Sequence, residues 1–182
     1  MKRMSSLFGL LLALSGCSSV DPNPMREYLT MTSAEADAGS HPRIRHFVEL
    51  YDNLKVLSIA DKIESTYAEQ LYFNDTLVTL HDRQALQSYL EQTQSNLDSI
   101  GIEILSVFEQ GDDVFIRWTM RTHFTVLGQS KDVRTIGFSH LRFNEQDRIV
   151  LHQDYWDSAQ GFFLHIPMIG GILQWIKNGL HA

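Results

Sequence analysis

The chain is expected to fold as an α+β domain: a cone-shaped α+β barrel, with three N-terminal helices packed on a curved antiparallel sheet and an apolar helical tail behind it. Three observations predict this. Between about residues 41 and 97 the apolar side chains recur at helical spacing. After Ile100 the pattern changes to alternation, in four β-rich segments separated by short polar turns. The length of 182 residues, 43% of them hydrophobic, suffices for one core but hardly for two.

Taken in order, Lys2 and Arg3 precede the apolar run Leu7 to Leu14, which is 8 residues long. A membrane-spanning helix needs about 20. The run reads as an export signal to be left out of the fold, the alternative being a buried first helix. It ends at "LSGCSS", which holds the one cysteine, Cys17. A single cysteine excludes an internal disulfide framework and a cysteine metal cluster. Ser18 to Ser40 contains two prolines, many small polar residues and no periodicity. It reads as a flexible tether that would span roughly 25–30 Å. The expected division is therefore a signal at 1–16, the cysteine and tether at 17–40, and the folded domain at 41–182, its tail starting near 160.

Within the domain, Ser40 and Pro42 suit a helix start, and Ile44, Phe47, Val48, Tyr51 and Leu54 form one stripe reaching about Val56. Ser58 or Asp61 opens a second, shorter helix carrying Ile59, Ile63 and Tyr67. "QLYFND" fits either a strand or a turn. Asp82 can cap a third helix, with Leu86, Tyr89, Leu90, Thr93 and Leu97 along one side. The four strands follow, in "IGIEILSVFEQ", "DVFIRWTMRTHFTV", "KDVRTIGFSHLRF" and "RIVLHQDYWD". In the second of these, Val114, Ile116, Trp118, Met120, Thr122, Phe124 and Val126 share one face, and Arg117, Thr119, Arg121, His123 and Thr125 the other. A curved sheet closed by helices would leave an apolar hollow for a small ligand.

Charge narrows the function. At a formal −7 the chain has no cationic excess for phosphates, so nucleic acid is not an expected partner. Cleavage before Cys17 would remove Lys2 and Arg3 and deepen the charge to −9. Anionic lipid surfaces would repel such a domain, so tethering must rest on acyl chains.

Leu14-Ser15-Gly16-Cys17 resembles the lipobox of bacterial lipoproteins. The resemblance implies cleavage before Cys17, a diacylglyceryl thioether on its sulfur, and a fatty acid such as palmitate on the new amine. Several acyl chains, at about 0.8 kcal/mol per buried CH₂, anchor firmly where one does not. Ser18 at the next position resembles outer-membrane sorting, which implies the periplasmic face of that membrane in a two-membrane envelope.

From "LYFND" through "IRWTM" and "TIGFSHLRF" to "LHQDYWD", the chain is similar to the SnoaL-like branch of the nuclear transport factor two-like superfamily, over about residues 44–180. The resemblance implies cofactor-independent isomerase, cyclase or hydrolase chemistry in a pocket for a small hydrophobic molecule, with sheet-to-sheet homodimers as a candidate assembly. In SnoaL-like cyclases an aspartate two residues after a histidine on the last strand is the base. Asp154 and His152 match it here. The sequence departs from ketosteroid isomerases in lacking an alignable tyrosine–acid oxyanion pair, and from limonene epoxide hydrolases in lacking their Asp-Arg-Asp set.

Each candidate has two roles open to it. Asp154 is a general base desolvated by Trp118 and Trp156, or it accepts hydrogen bonds from His152, Arg148 or the backbone and fixes the sheet end. His152 orients Asp154, or is an ordinary strand histidine. Tyr72, Phe73 and Asp75 line the pocket with Trp118, Met120, His140 and Trp156, or serve as core aromatics and a turn aspartate. His123 and His140 lack any ligand motif, so no metal is assigned. Arg117 and Arg121 are solvated or at a dimer contact. The tail "GFFLHIPMIGGILQWIKNGL" either covers the open end of the cone or touches the membrane through Trp175 and Lys177. Pro167 and Gly170-Gly171 exclude a transmembrane helix.

Overall fold

The computed structural model describes residues 25–52, 54 and 58–180. The export signal, Cys17 and the first part of the expected tether lie outside the described residues.

The remainder of that tether is structured. Helix α1 spans Met25–Met31, and the chain then runs beside the sheet, where the Glu35 amide donates to the Leu105 carbonyl at 2.8 Å. Arg117 clamps it from beneath, donating to Tyr28 Oη at 3.1 Å and to the Ser33 carbonyl at 2.8 Å. Arg117 is therefore covered by its own chain rather than solvated. Residues 25–40 thus lie on the body, ahead of the expected boundary at 41, where the segment pairs with an edge strand that would otherwise expose its backbone groups.

The first expected helix is interrupted. Two 3₁₀ turns, Ala38–Ser40 and Pro42–Ile44, precede α2 at Arg45–Asp52. Of the expected stripe, Ile44, Phe47 and Leu54 are buried and Val48 and Tyr51 half-buried, and Leu50, outside that stripe, is buried with them. Helix α3, Ile59–Thr66, ends one residue before Tyr67, which opens strand β1 at Tyr67–Asn74. "QLYFND" is thus strand. It pairs with a short β2 at Thr79–Asp82, and Asp82 then caps α4, Arg83–Asn96, by accepting from the Ala85 amide at 2.8 Å.

Strands β3 (Ser99–Gln110), β4 (Asp113–Val126), β5 (Gln129–Phe143) and β6 (Ile149–Trp156) form the expected antiparallel meander. The β4–β5 hairpin turns at Leu127-Gly128, both at positive φ, the two-residue turn that matches strand twist. The six strands run in the order β2-β1-β6-β5-β4-β3. The sheet is mixed rather than wholly antiparallel, since β1 lies parallel to β6. That pairing is reached only after α4 and four strands have intervened, the long connection a parallel pair requires.

One face of the sheet takes the helices. Val114, Ile116, Trp118, Leu141 and Ile149 are buried there against α2, α3 and α4. Gly137 sits opposite Trp118 in the β4–β5 register, and a Cβ at that position would run into the indole. The missing side chain is what lets the tryptophan lie flat across β5.

The tail divides in two. Asp157 caps α5, Ser158–Gly161, which presses against Trp156 and Thr135, and a 3₁₀ turn at Phe163–His165 sets the His165 ring edge-on to Phe124 at 6.1 Å. This half covers one end of the helix-bearing face. Helix α6, Ile169–Gly179, packs on the 3₁₀ turn and is otherwise largely exposed. Among the described residues no helix is long and apolar enough to cross a membrane.

Candidate functional site

Strand alternation sends His152, Asp154 and Trp156 to the helix-bearing side of β6. His152 is 1% exposed. It is enclosed by rings from two elements: Phe47 and Tyr51 of α2 edge-on at 5.6 and 6.0 Å, and from β1 Phe73 edge-on at 4.9 Å and Tyr67 stacked at 6.0 Å.

Both imidazole nitrogens have partners. Nδ1 lies 2.6 Å from Tyr67 Oη, which is 2.8 Å from Tyr51 Oη. Nε2 lies 2.7 Å from Asp154 Oδ1. The same carboxylate oxygen accepts from Ser139 Oγ at 2.5 Å, and Ser139 accepts from the Trp118 indole at 2.8 Å. The donor inventory sets the direction of this chain, because an indole can only donate and a carboxylate only accept. Trp118 donates to Ser139 and Ser139 to Asp154. From the other side Tyr51 donates to Tyr67, Tyr67 to His152 and His152 Nε2–H to Asp154. Both arms converge on one carboxylate.

The phenols are held protonated. Burial pushes Tyr67 well above its ordinary value, opposed by the bond from Tyr51 and reinforced by Asp154 and Asp75. Burial also raises Tyr51, with Tyr67 as the next cause. The Asp154 side chain is 15% exposed, so the convergence point reaches solvent while His152 does not.

Of the expected pocket residues, Phe73 lies against His152, and Trp118 reaches Asp154 through Ser139. Met120 and Trp156 are partly buried against the core. The Trp156 indole donates to the Asp75 carbonyl at 2.7 Å. Asp75 holds a turn: one oxygen accepts from the Leu77 and Val78 amides at 2.9 and 3.0 Å, the other from Tyr89. Burial, then the Asp75 carboxylate, raises the Tyr89 phenol far above its usual value. Two residues do not join the site. Tyr72 is exposed and donates to Gln153 at 3.1 Å. His140 is on the opposite face, stacked on Phe115 at 4.6 Å and 2.9 Å from Asp113, because its cross-strand partner Phe115 points away from Trp118. His123 sits on that outer face beside Asp132, at 3.1 Å.

The expected hollow is elsewhere as well. Rings enclose His152, and a cavity of about 870 Å³ among the described residues is walled by Tyr28, Glu103, Arg121, Arg134, Thr135 and His165, among others. None of the expected pocket residues lines it. Its charged wall is paired: Arg121 with Asp132 at 2.9 and 2.5 Å, Arg134 with Glu103 at 3.3 Å. The Arg121 guanidinium holds Asp132 down at about 2. Thr135 Oγ1, buried in the wall, has no protein partner.

Comparison with known proteins identifies this architecture. The family model described as the SnoaL-like domain matches residues 44–152, from the start of α2 to His152 itself. The chain belongs to the SnoaL-like domain family. No protein of curated function matches it. Solved structures give the fold of the SnoaL-like body. A nuclear transport factor two-like protein of unknown function from Exiguobacterium sp. 255-15 is 17% identical, with a TM-score of 0.55 over 63% of this chain and 98% of that one. A protein assigned as a SnoaL-like polyketide cyclase from Shewanella denitrificans is 14% identical, with a TM-score of 0.57 over 66% and 94%. An epoxide hydrolase of the limonene type from M. tuberculosis is 16% identical, with a TM-score of 0.54 over 66% and 79%. At these identities the likeness establishes the fold alone. The SnoaL-like match stops at residue 152, so Asp154 and the tail lie beyond it.

Sequence reasoning missed Tyr51, Tyr67 and Ser139 as members of the site. Their signal was polar atoms at inward-facing positions of otherwise apolar stripes, where a buried hydroxyl requires a partner.

Proposed function

We propose that this is a lipid-anchored SnoaL-like domain of the cell envelope, held by Cys17, in which Asp154 acts as a general base on a small, largely apolar molecule without a cofactor. One observation carries the reading: two hydrogen-bonded arms converge on a carboxylate that is itself 15% exposed. A base needs a fixed orientation and one open edge. His152 and Ser139 supply the first, and the open edge of Asp154 the second. When Asp154 takes a proton from a carbon acid on Oδ2, His152 Nε2–H and Ser139 Oγ–H remain as donors to the two lone pairs of Oδ1. Tyr67 fixes which imidazole nitrogen carries hydrogen, so His152 acts here as a positioning residue.

The test uses molecules extracted from the purified full chain, identified by mass spectrometry and returned to the protein in D₂O. Wild type is expected to place deuterium at an acidic carbon of the bound molecule. Asp154→Asn should slow this by at least about 100-fold while binding is unchanged. Exchange as fast in the variant as in wild type would remove Asp154 from the chemistry.

A second reading, a carrier without turnover, is favoured by the place of the cavity. It lies away from Asp154, and neither His152 nor Ser139, which bond that carboxylate, lines it. In that case the extracted molecule binds stoichiometrically and takes up no deuterium.

A further inference from the structure

Helix α6 leaves most of its apolar side uncovered: Ile169, Ile172, Ile176 and Leu180 are exposed, and Leu173, on the edge of that side next to Gly170, is half-buried. At about 100° per residue, Ile169, Ile172, Leu173, Ile176 and Leu180 fall within an arc of roughly 100°. Ile172 is 57% exposed and Leu180 77%. The side that meets the body is marked by Gly170, where a Cβ would collide with the Leu164 carbonyl. The helix therefore lies on its neighbour through a glycine and leaves its isoleucines unpaired. Trp175, at the border of the stripe, is 75% exposed.

Charge selects the occupant. All 22 Asp and Glu residues of the chain lie at or before Asp157, and the 25 residues that follow carry none, with Lys177 as their one Lys or Arg. In a chain of net charge −7 this is the segment that an anionic surface would not repel. An apolar stripe edged by a tryptophan and a lysine is the composition of a helix lying in the plane of a membrane interface.

Reach agrees. Met25, where the described chain begins, and His165, four residues before α6, wall the same cavity, so the two ends of the body share one rim. The eight residues from Cys17 to Pro24 span at most about 28 Å. An acyl group on Cys17 and the stripe of α6 can thus meet one surface.

We propose that α6 is a second membrane contact, docking its Ile169–Leu180 stripe into the interface of an anionic bilayer beside the lipid anchor. This deepens the anchored reading above and takes the anchor from it. A single surface touched at both ends of the chain also sets the orientation of the domain, with the cavity rim facing the lipid.

The test uses the full chain, extracted in detergent and reconstituted into vesicles of phosphatidylethanolamine and phosphatidylglycerol with brominated acyl chains. The signal of Trp175 is the difference between wild type and Trp175→Phe, and intact mass reports acylation of Cys17. Docking predicts that bromine quenches Trp175 and that Ile172→Asp lowers the docked-to-undocked ratio about tenfold or more, since burying an isoleucine contributes about 1.5–3 kcal/mol. Both altered positions are exposed, and far-UV circular dichroism checks that the fold is kept. Quenching on an unacylated chain would uphold the docking and refute the anchor. Acylated protein whose Trp175 stays open to aqueous acrylamide would overturn the docking and leave the anchor. Shielding of Trp175 without vesicles, rising with protein concentration, would identify a second copy as the occupant and overturn the proposal.

Discussion

Replacing Tyr67 by Phe removes one oxygen from the middle of the converging chain, and the structure dictates what that costs. Tyr67 is fully buried, and its hydroxyl is bonded at 2.6 Å to His152 Nδ1 and at 2.8 Å to Tyr51 Oη. Without it, His152 Nδ1 loses its donor inside a cage of Phe47, Tyr51 and Phe73. Tyr51 loses its acceptor at the same time. Each buried group left unpaired costs about 1–3 kcal/mol, so Tyr67→Phe should destabilise by about 2–4 kcal/mol. Tyr51→Phe removes only the terminal donor. Tyr67 still donates to His152, and the loss should be about 0.5–1.5 kcal/mol. The double variant orphans one group fewer than Tyr67→Phe alone, so the two effects should be strongly non-additive, with the second substitution recovering part of the first. Urea unfolding followed by tryptophan fluorescence measures all three. Equal costs for the two single variants, or simple additivity in the double, would refute the directional chain from Tyr51 to Asp154.

Two further outcomes follow from the sheet. Gly137→Ala drives a methyl group into the Trp118 ring, so the variant should lose about 1–3 kcal/mol and red-shift the tryptophan emission as the indole leaves Ser139; unchanged emission would show that β5 yields instead. Asp113 is held at about 2 by its bonds to Arg142 and then His140, below the ordinary 3.8. Its contribution is therefore fully present above pH 3.8 and lost as pH falls from there towards 2. For a surface pair the amount is under about 1 kcal/mol. Asp113→Asn should flatten the acid limb of stability between pH 4 and 2, and an unaltered limb would exclude the pair from acid unfolding.

The fold was legible wherever one periodicity dominated a long segment. Strand β4 alternates over its whole length, and Val114, Ile116, Trp118 and Phe124 are buried as the alternation requires. The Asp82 cap was equally plain, since a short acidic side chain before a helical stripe has one favourable use. Tether residues 25–40 misled because composition speaks only to intrinsic preference. Their order comes from Arg117 and the Leu105 carbonyl, contacts about 70 residues or more away in sequence. The parallel β1–β6 pair was hidden for the same reason. Local pattern identifies a strand but not its neighbour.

The site shows where such reading stops. The His-x-Asp spacing placed His152 and Asp154 on one face, and the 2.7 Å bond between them follows from strand geometry. What surrounds them does not. Tyr51 and Tyr67 occupy positions that a helical or strand pattern fills equally well with Leu or Phe, so periodicity identifies their rings as packing and is blind to their oxygens. Ser139 stands inward between Gly137 and Leu141, a polar residue at a core position, and such a residue is a demand for a partner. Three buried hydroxyls, of Tyr51, Tyr67 and Ser139, require donors and acceptors able to meet them. His152, Asp154 and Trp118 are those groups. The hydroxyl-bearing rings around the dyad lie close enough to bond, and the cavity opens instead where Thr135 and His165 stand.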